Sequence, residues 1–172
     1  FSHATHLFSA MPPIWHRAPG AVVAAFDSKT STAELICDGL HAHPPVLRMA
    51  FKLLGEDRSV VVSDAMRAAG CGDGEFELGG QQVFVTNGKA TLANGNFAGS
   101  TTNMHREFLN LLSFNIPFKQ ALKSCTINPA RVIGVDGITG SLEAGKLADV
   151  LIVDDYLRIK RVIVKGKTVF SQ

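Results

Sequence analysis

A strand, a helix and a second strand in close succession constrain this chain more than anything else in it. Ala33-Glu34-Leu35-Ile36-Cys37 reads as a buried strand that Asp38-Gly39 ends. Pro44 and Pro45 then open a helix to about Leu54, because proline suits the first helical turn, where an amide has no partner to lose. Val46, Leu47, Ala50, Phe51 and Leu54 recur at helical spacing on one face. Arg58 to Ser63 is the next strand, and its three β-branched residues, Val60-Val61-Val62, suit a short, fully buried segment. Strand, helix and strand at this spacing form a βαβ unit, and a βαβ unit implies a parallel sheet. Ligands and catalytic groups gather at the carboxyl ends of parallel strands. Asp64 stands at such an end, and His6 and His41 occupy comparable places upstream. We expect all three around one site. Taken alone, Asp64 would serve equally well as a helix N-cap.

The rest of the chain reads as follows. Residues 1 to 20 are a strand end and a loop, since Pro12-Pro13 forbids a continuous helix there. Ala21 to Phe26 fits a short helix or a strand. Residues 67 to 80 form a Gly-rich stretch, which lacks the G-x-G-x-x-G spacing of a dinucleotide site. Asn87-Gly88 between Gln82-Val83-Phe84-Val85 and Lys89-Ala90-Thr91-Leu92 predicts a hairpin. Ser100 or Thr101 is the expected cap of a helix bearing Met104, Phe108, Leu111 and Leu112 on one side. Pro117 opens another, with Phe118, Ala121, Leu122 and Cys125 as its buried stripe. Asn128-Pro129-Ala130-Arg131 starts a short helix. Strands are expected at 149–154, 159–164 and 168–170, the last two joined by Lys165-Gly166.

Composition excludes several classes. With 46% hydrophobic residues in 172 the chain can bury a core, so disorder is excluded. A net charge of +2, with no basic stripe interleaved with aromatics, argues against nucleic acid as a partner. No apolar run approaches the roughly 20 residues needed to cross a bilayer, so no membrane partner is expected. Nor does the start read as a signal peptide. Cys37, Cys71 and Cys125 are odd in number and widely spaced, which fits a reducing cytoplasm better than a disulfide frame or a zinc knuckle.

Two groups of motifs carry a resemblance. Asn128-Pro129-Ala130-Arg131-Val132-Ile133-Gly134 and Gly140-Ser141-Leu142-Glu143-Ala144-Gly145-Lys146-Leu147-Ala148-Asp149-Val150 resemble the closing segment of the amidohydrolase superfamily. Thr5-His6-Leu7-Phe8-Ser9-Ala10-Met11, Arg17-Ala18-Pro19-Gly20, Asp38-Gly39-Leu40-His41 and Ser63-Asp64-Ala65-Met66 narrow it to the N-acetylglucosamine-6-phosphate deacetylase family.

The resemblance implies an α/β fold, namely the later strands of a (β/α)8 barrel with a small C-terminal β-sandwich piece. The barrel portion would span 1–135 and the sandwich strands 136–172. It also implies a divalent metal ion, Zn2+ or Fe2+ in keeping with an imidazole ligand, and a homodimer acting on an N-acetylated amino-sugar phosphate. The reaction would release acetate and glucosamine 6-phosphate. By position His6 would be a metal ligand and Asp64 the acid/base. His41, with Asp38, Gly39 and Leu40, would hold the substrate near the metal. Ser9 and Ala10 would offer groups to the phosphate, and Arg17 would reach the phosphate of the neighbouring subunit. Phe97, Ala98 and Gly99 would line the sugar pocket. Ser9 departs from the Asn usual in the family, so the backbone rather than the side chain is the expected phosphate contact there.

The chemistry suits these residue types. A divalent metal lowers the pKa of bound water toward neutrality, a nearby carboxylate relays the proton to the leaving amine, and arginine forks onto phosphate oxygens. Each role has an ordinary rival. A lone strand-end His6 is more often hydrogen-bonded than ligating, and Arg17 reads equally as a surface charge. His41-Ala42-His43 has the look of a metal pair, both facing one way on an extended chain, but His41 alone is favoured. His3 is not expected to ligate. The resemblance puts a Glu and an earlier His of the metal site upstream of residue 1, so the isolated segment is expected to be inactive. Two other readings remain: a non-catalytic half-barrel binding a sugar phosphate or another chain, and an amidohydrolase for a different N-acyl compound.

Overall fold

Three short strands, β1 (His3–Ala4), β2 (Thr32–Leu35) and β3 (Ser59–Val61), pair in parallel in that order in the computed structural model, which describes residues 1–172. His3 stands opposite Thr32 and Ala33 opposite Ser59. Parallel neighbours require crossovers, and these carry α1 (Gly20–Asp27) and α2 (Pro44–Arg58). Ala21 to Phe26 is therefore helical, burying Val22 and Ala25. The second helix starts at Pro44 as expected and buries Leu47, Ala50, Phe51 and Leu54. It runs past Leu54 to Arg58, with Gly55 breaking the helical backbone at a φ of 72°. Arg58 then ties the neighbouring chain ends together, donating to the carbonyls of Ala25 and Ser31 at 3.1 Å each and to Leu53 at 2.8 Å.

Two more helices, α3 (Met104–Ser113) and α4 (Phe118–Cys125), complete this packing. Leu35, Leu47, Phe51 and Leu111 are at most 1% exposed in the shared core, and each such side chain contributes roughly 1.5–3 kcal/mol by leaving water. Three expectations need correction here. The α3 cap is Asn103, whose side chain accepts from the Arg106 amide at 2.9 Å, not Ser100 or Thr101. Phe108, Leu111 and Leu112 of α3 face the core as expected, but Met104 is exposed and Glu107 is buried with them. In α4 Ala121 and Cys125 face the core as expected, Ser124 is buried with them, and Phe118 and Leu122 are exposed.

A second, antiparallel sheet holds β4 (Gly74–Leu78), β5 (Gln81–Thr86) and β6 (Lys89–Leu92). Asn87 and Gly88 have φ of 51° and 73° in the predicted hairpin turn, the two positive values a type I′ turn demands. Their amides donate to the Asp73 carboxylate at 2.7 and 3.2 Å. Strand β4 was not foreseen; it lies within the Gly-rich stretch. Met66, Ala68, Val83, Val85, Ala90 and Ala98 form a small core of their own beside this sheet.

The chain divides into two compact units, Phe1–Cys125 and Thr126–Gln172. The second contains α5 (Ile127–Val132) and an antiparallel sheet of β7 (Val150–Val153), β8 (Ile159–Val164) and β9 (Lys167–Ser171). Lys165 and Gly166, with φ of 49° and 76°, make the expected turn between the last two strands. A Cβ on Gly140 would lie 2.8 Å from that of Ala130, so only glycine fits where that loop crosses α5. The fold as a whole is α/β with three small sheets, none of them closed. No helix is long and apolar enough to cross a membrane.

Candidate active site

Because β1, β2 and β3 are parallel neighbours, the loops leaving their carboxyl ends emerge on one side of the sheet. His6 leaves β1, Asp38 and His41 leave β2, and Asp64 leaves β3. The topology thus gathers the three expected site residues along one rim.

The loop after β1 is held by Glu34 of β2. Its carboxylate accepts from the Thr5 hydroxyl at 2.6 Å and the His6 amide at 3.3 Å, and meets the His3 ring at 3.0 Å. Burial opposes the Glu34 charge, but the bonds from Thr5, His3 and the His6 amide outweigh it and hold the carboxyl below its ordinary value. His3 is thus engaged with Glu34. His6, Phe8 and Ala10 have φ of 27°, 81° and 55°, a conformation that costs a non-glycine residue about 1–3 kcal/mol. Left-handed residues repeated along a loop are a feature of anion-binding backbone nests. The Ser9 and Met11 amides close turns onto the His6 and Phe8 carbonyls at 2.9 and 3.3 Å, leaving the Ala10 amide outside these bonds. His6 Nδ1 is buried and has no hydrogen-bond partner.

After β2 the chain wraps around Asp38. One carboxylate oxygen accepts from the Leu40 and His41 amides at 2.8 and 2.9 Å, and the other meets His41 Nδ1 at 2.7 Å. Gly39 between them has a φ of 78°, and a Cβ there would approach the Phe114 ring to 3.0 Å. Burial works to raise the Asp38 carboxyl, yet the bonds from the His41 ring and from the two amides prevail and keep it below its ordinary value. An ionised carboxylate only accepts, so Nδ1 carries the proton and Nε2 is left for a ligand. The His41 ring packs on Phe97 with centroids 4.4 Å apart, and the Lys89 ammonium sits 4.8 Å from the Phe97 centroid.

Asp64 is exposed, with a φ of 46°. Its carbonyl accepts from the Ser100 amide at 2.8 Å, the Met66 amide donates to the Ser100 carbonyl at 2.9 Å, and the Ser100 hydroxyl bonds the Ser63 carbonyl. A Cβ on Gly99 would lie 3.0 Å from the Asp64 carbonyl oxygen. The short segment 97–100 therefore links Asp64, through Gly99 and Ser100, to His41, through Phe97. Ala98 is buried between them. Arg17 stands apart in an exposed turn bridged by Trp15 and Ala18, and the Leu40 side chain is exposed.

An unpartnered imidazole nitrogen is the donor that a divalent ion takes, so His6 fits the role of a single ligand. No group of three or more His, Cys, Asp or Glu side chains converges anywhere in the chain. A complete metal site is not built from these residues alone.

Sequence reasoning missed Glu34, Lys89, Glu107 and Asn110. Glu107 is fully buried and accepts from the Cys37 amide, and Asn110 donates to the Cys37 carbonyl at 3.1 Å. The one signal for Glu107 is its place within an apolar stripe, between Met104 and Leu111.

Two histidines and an aspartate at strand ends share one rim of a parallel sheet, and the comparisons give the chain a family. The chain belongs to the amidohydrolase family, whose profile matches residues 3–169. Among curated proteins it is 35% identical over 170 residues to the N-acetylglucosamine-6-phosphate deacetylase of Bacillus subtilis, covering 98% of this chain and 43% of that protein. It is 34% identical over 163 residues to a putative N-acetylgalactosamine-6-phosphate deacetylase of Escherichia coli K12, covering 94% of this chain and 97% of that protein. The structure matches that of N-acetylglucosamine-6-phosphate deacetylase from Pasteurella multocida with a TM-score of 0.93 and 34% identity, over 99% of this chain and 45% of that one. The chain thus spans less than half of the Bacillus and Pasteurella proteins, and the likeness to N-acetylglucosamine-6-phosphate deacetylases read from its motifs holds.

Proposed function

We propose that this chain supplies one side of the active site of a deacetylase that hydrolyses N-acetylglucosamine 6-phosphate to glucosamine 6-phosphate and acetate. The observation that carries the reading is the link through 97–100, which joins Asp64 to the Asp38–His41 pair on the rim that also bears His6. The parallel order of β1 to β3, with helical crossovers between them, supports reading them as an arc of a (β/α)8 barrel.

His6 holds a divalent ion, Zn2+ or Fe2+, together with ligands from outside this chain. The ion supplies Lewis acidity, which makes hydrolysis feasible near neutral pH. Asp64 takes the proton of the attacking water and delivers it to the leaving amine, a task worth roughly 10²–10⁴-fold. Its exposure and its fixed backbone suit a group that must meet the substrate. His41, oriented by Asp38, holds the substrate through Nε2. The Phe97 ring and the Ala98–Gly99 backbone form a wall for the sugar. The Ala10 amide receives the phosphate, with the Ser9 backbone beside it, and Arg17 reaches the phosphate bound by a second subunit of a homodimer. A cytoplasmic setting fits the free cysteines.

Acetate release from N-acetylglucosamine 6-phosphate by the metal-loaded enzyme, with the remaining metal ligands supplied and with and without metal stripping, tests the reading. Asp64→Asn is expected to lower kcat by about 10²–10⁴-fold while substrate binding is largely kept. Turnover within a few-fold of the parent would remove Asp64 from its role. The Escherichia coli relatives named for N-acetylgalactosamine 6-phosphate make that sugar the second substrate to assay.

A further inference from the structure

We infer that Glu107 and Asn110, one turn apart on α3, are positioning residues that set the Asp38–His41 pair by clamping both backbone groups of Cys37. The inference rests on the role proposed above for His41.

Ladder pairing of β2 ends at Leu35, whose carbonyl accepts from the Val62 amide at 3.1 Å. Cys37 follows at 0% exposure, so its amide and carbonyl lie in the protein interior without a strand to bond. Buried backbone groups left unpaired are costly. Here α3 satisfies both: the Glu107 carboxyl accepts from the Cys37 amide, and Asn110 Nδ2 donates to its carbonyl at 3.1 Å. Residues three apart share a helix face, so one rigid face grips one peptide position from two sides. The Asn103 cap fixes the start of that helix, and Leu111 anchors it in the core at 0% exposure. The next residue is Asp38, and its carboxylate dictates the turn and ring orientation of His41. Two lines of contact therefore meet at His41: α3 through Cys37 and Asp38, and the 97–100 segment through Phe97.

Glu107 is an unusual residue for this task, because a carboxylate buried without a cation is costly. Burial, with the Asp38 charge adding to it, pushes the carboxyl up to about 8 against the opposing pull of the Cys37 amide. Near neutral pH the group is largely uncharged, and glutamine is then its closest isostere.

The test uses four variants of the purified protein. Glu107→Ala and Asn110→Ala are expected to lower kcat/KM at least about tenfold, because displacing a substrate-holding group by about 1 Å costs on the order of 10²-fold. Glu107→Gln keeps an acceptor for the Cys37 amide and should stay within threefold. Val22→Ala loosens the same core from α1, which bonds neither Cys37 nor Asp38, and should lower Tm but leave kcat/KM within threefold. Hydrogen exchange over residues 37–41 should quicken in the two polar-to-alanine variants and not in Glu107→Gln. If Glu107→Ala does not fold, Asn110→Ala carries the test. Unchanged kcat/KM and exchange in Asn110→Ala, or an equal loss in Val22→Ala, would overturn the inference. Should the metal-loaded enzyme, with the remaining metal ligands supplied, release no acetate from any amino-sugar phosphate, the proposed function fails, while the exchange pattern still decides whether α3 sets the Cys37–His41 segment.

Discussion

Asp38 grips His41 twice, once through the backbone amide at 2.9 Å and once through ring Nδ1 at 2.7 Å. A single carboxylate thereby fixes the turn and, through it, both the position and the protonated nitrogen of the imidazole. Asp38→Ala is expected to lower kcat/KM on the order of 10²-fold by releasing the ring. Asp38→Asn retains an acceptor for the amides and should lose less. The measurement is steady-state acetate release, and equal losses in the two variants would show that only the charge matters. The carboxyl is held below its ordinary value of 3.8, so the stability it contributes is present above that value and lost as the pH falls below it.

Gly99 is the tightest point between the two halves of the rim. Its φ of 69° and the 3.0 Å approach of a Cβ to the Asp64 carbonyl oxygen oppose any side chain. Gly99→Ala should therefore push Asp64 off the Ser100 segment. A kcat loss of about 10²-fold is expected, with a destabilisation of about 1–3 kcal/mol for the left-handed alanine. Gly95→Ala makes a control for the strain alone, since it shares a positive φ of 85° but has open space around its Cβ. If the two variants lost activity equally, the close approach to Asp64 would have no functional weight.

The parts of the fold legible in the sequence are those where local chemistry and burial agree. Pro44-Pro45 and the Leu47-Ala50-Phe51-Leu54 stripe announce α2 because proline fills its first turn and one face is buried. Asn87-Gly88 and Lys165-Gly166 announce hairpins because their turns require positive φ. Strand β4 was hidden because Gly74 to Leu78 is largely exposed, so nothing apolar outweighed the glycines around it. The α3 cap was obscured by four adjacent candidates, Ser100, Thr101, Thr102 and Asn103, and the position of the Arg106 amide decides among them. At the site, strand-end placement revealed His6, His41 and Asp64. The supports did not show: Glu34 and Glu107 act through contacts 28 and 70 residues away, and no local pattern encodes those.

The three thiols should differ sharply in reactivity. Cys71 is exposed, whereas Cys37 is buried at 0% exposure. Burial, with the Glu107 and Cys125 charges adding to it, pushes the Cys37 thiol well above its ordinary value, and burial pushes Cys125 up to about 12. The thiolate is the reactive form, so at pH 8 a disulfide reagent should label one thiol quickly. Cys71→Ser should abolish that fast phase, and the other two thiols should appear only on unfolding. A fast phase surviving in Cys71→Ser would show that the half-buried Cys125 or the Cys37 region is reached in the native state.

Glu107 should also give the protein a recognisable pH dependence of stability. Its folded value of about 8 lies above the ordinary 4.5, so between these values the native state holds a proton that the unfolded chain has released. Unfolding then loses a proton, and stability falls as the pH rises through that window. The shift corresponds to a loss on the order of 3–5 kcal/mol by pH 8 relative to pH 4.5. Glutamine at this position cannot ionise, so Glu107→Gln should remove that slope. Urea unfolding of the parent and of Glu107→Gln at several pH values from 5 to 8.5 measures it as the difference between the two curves. The parent should lose ground to the variant steadily as the pH rises. A difference that stays flat across the range would mean that Glu107 ionises near its ordinary value, with the bonds from the Cys37 amide and Thr102 outweighing its burial.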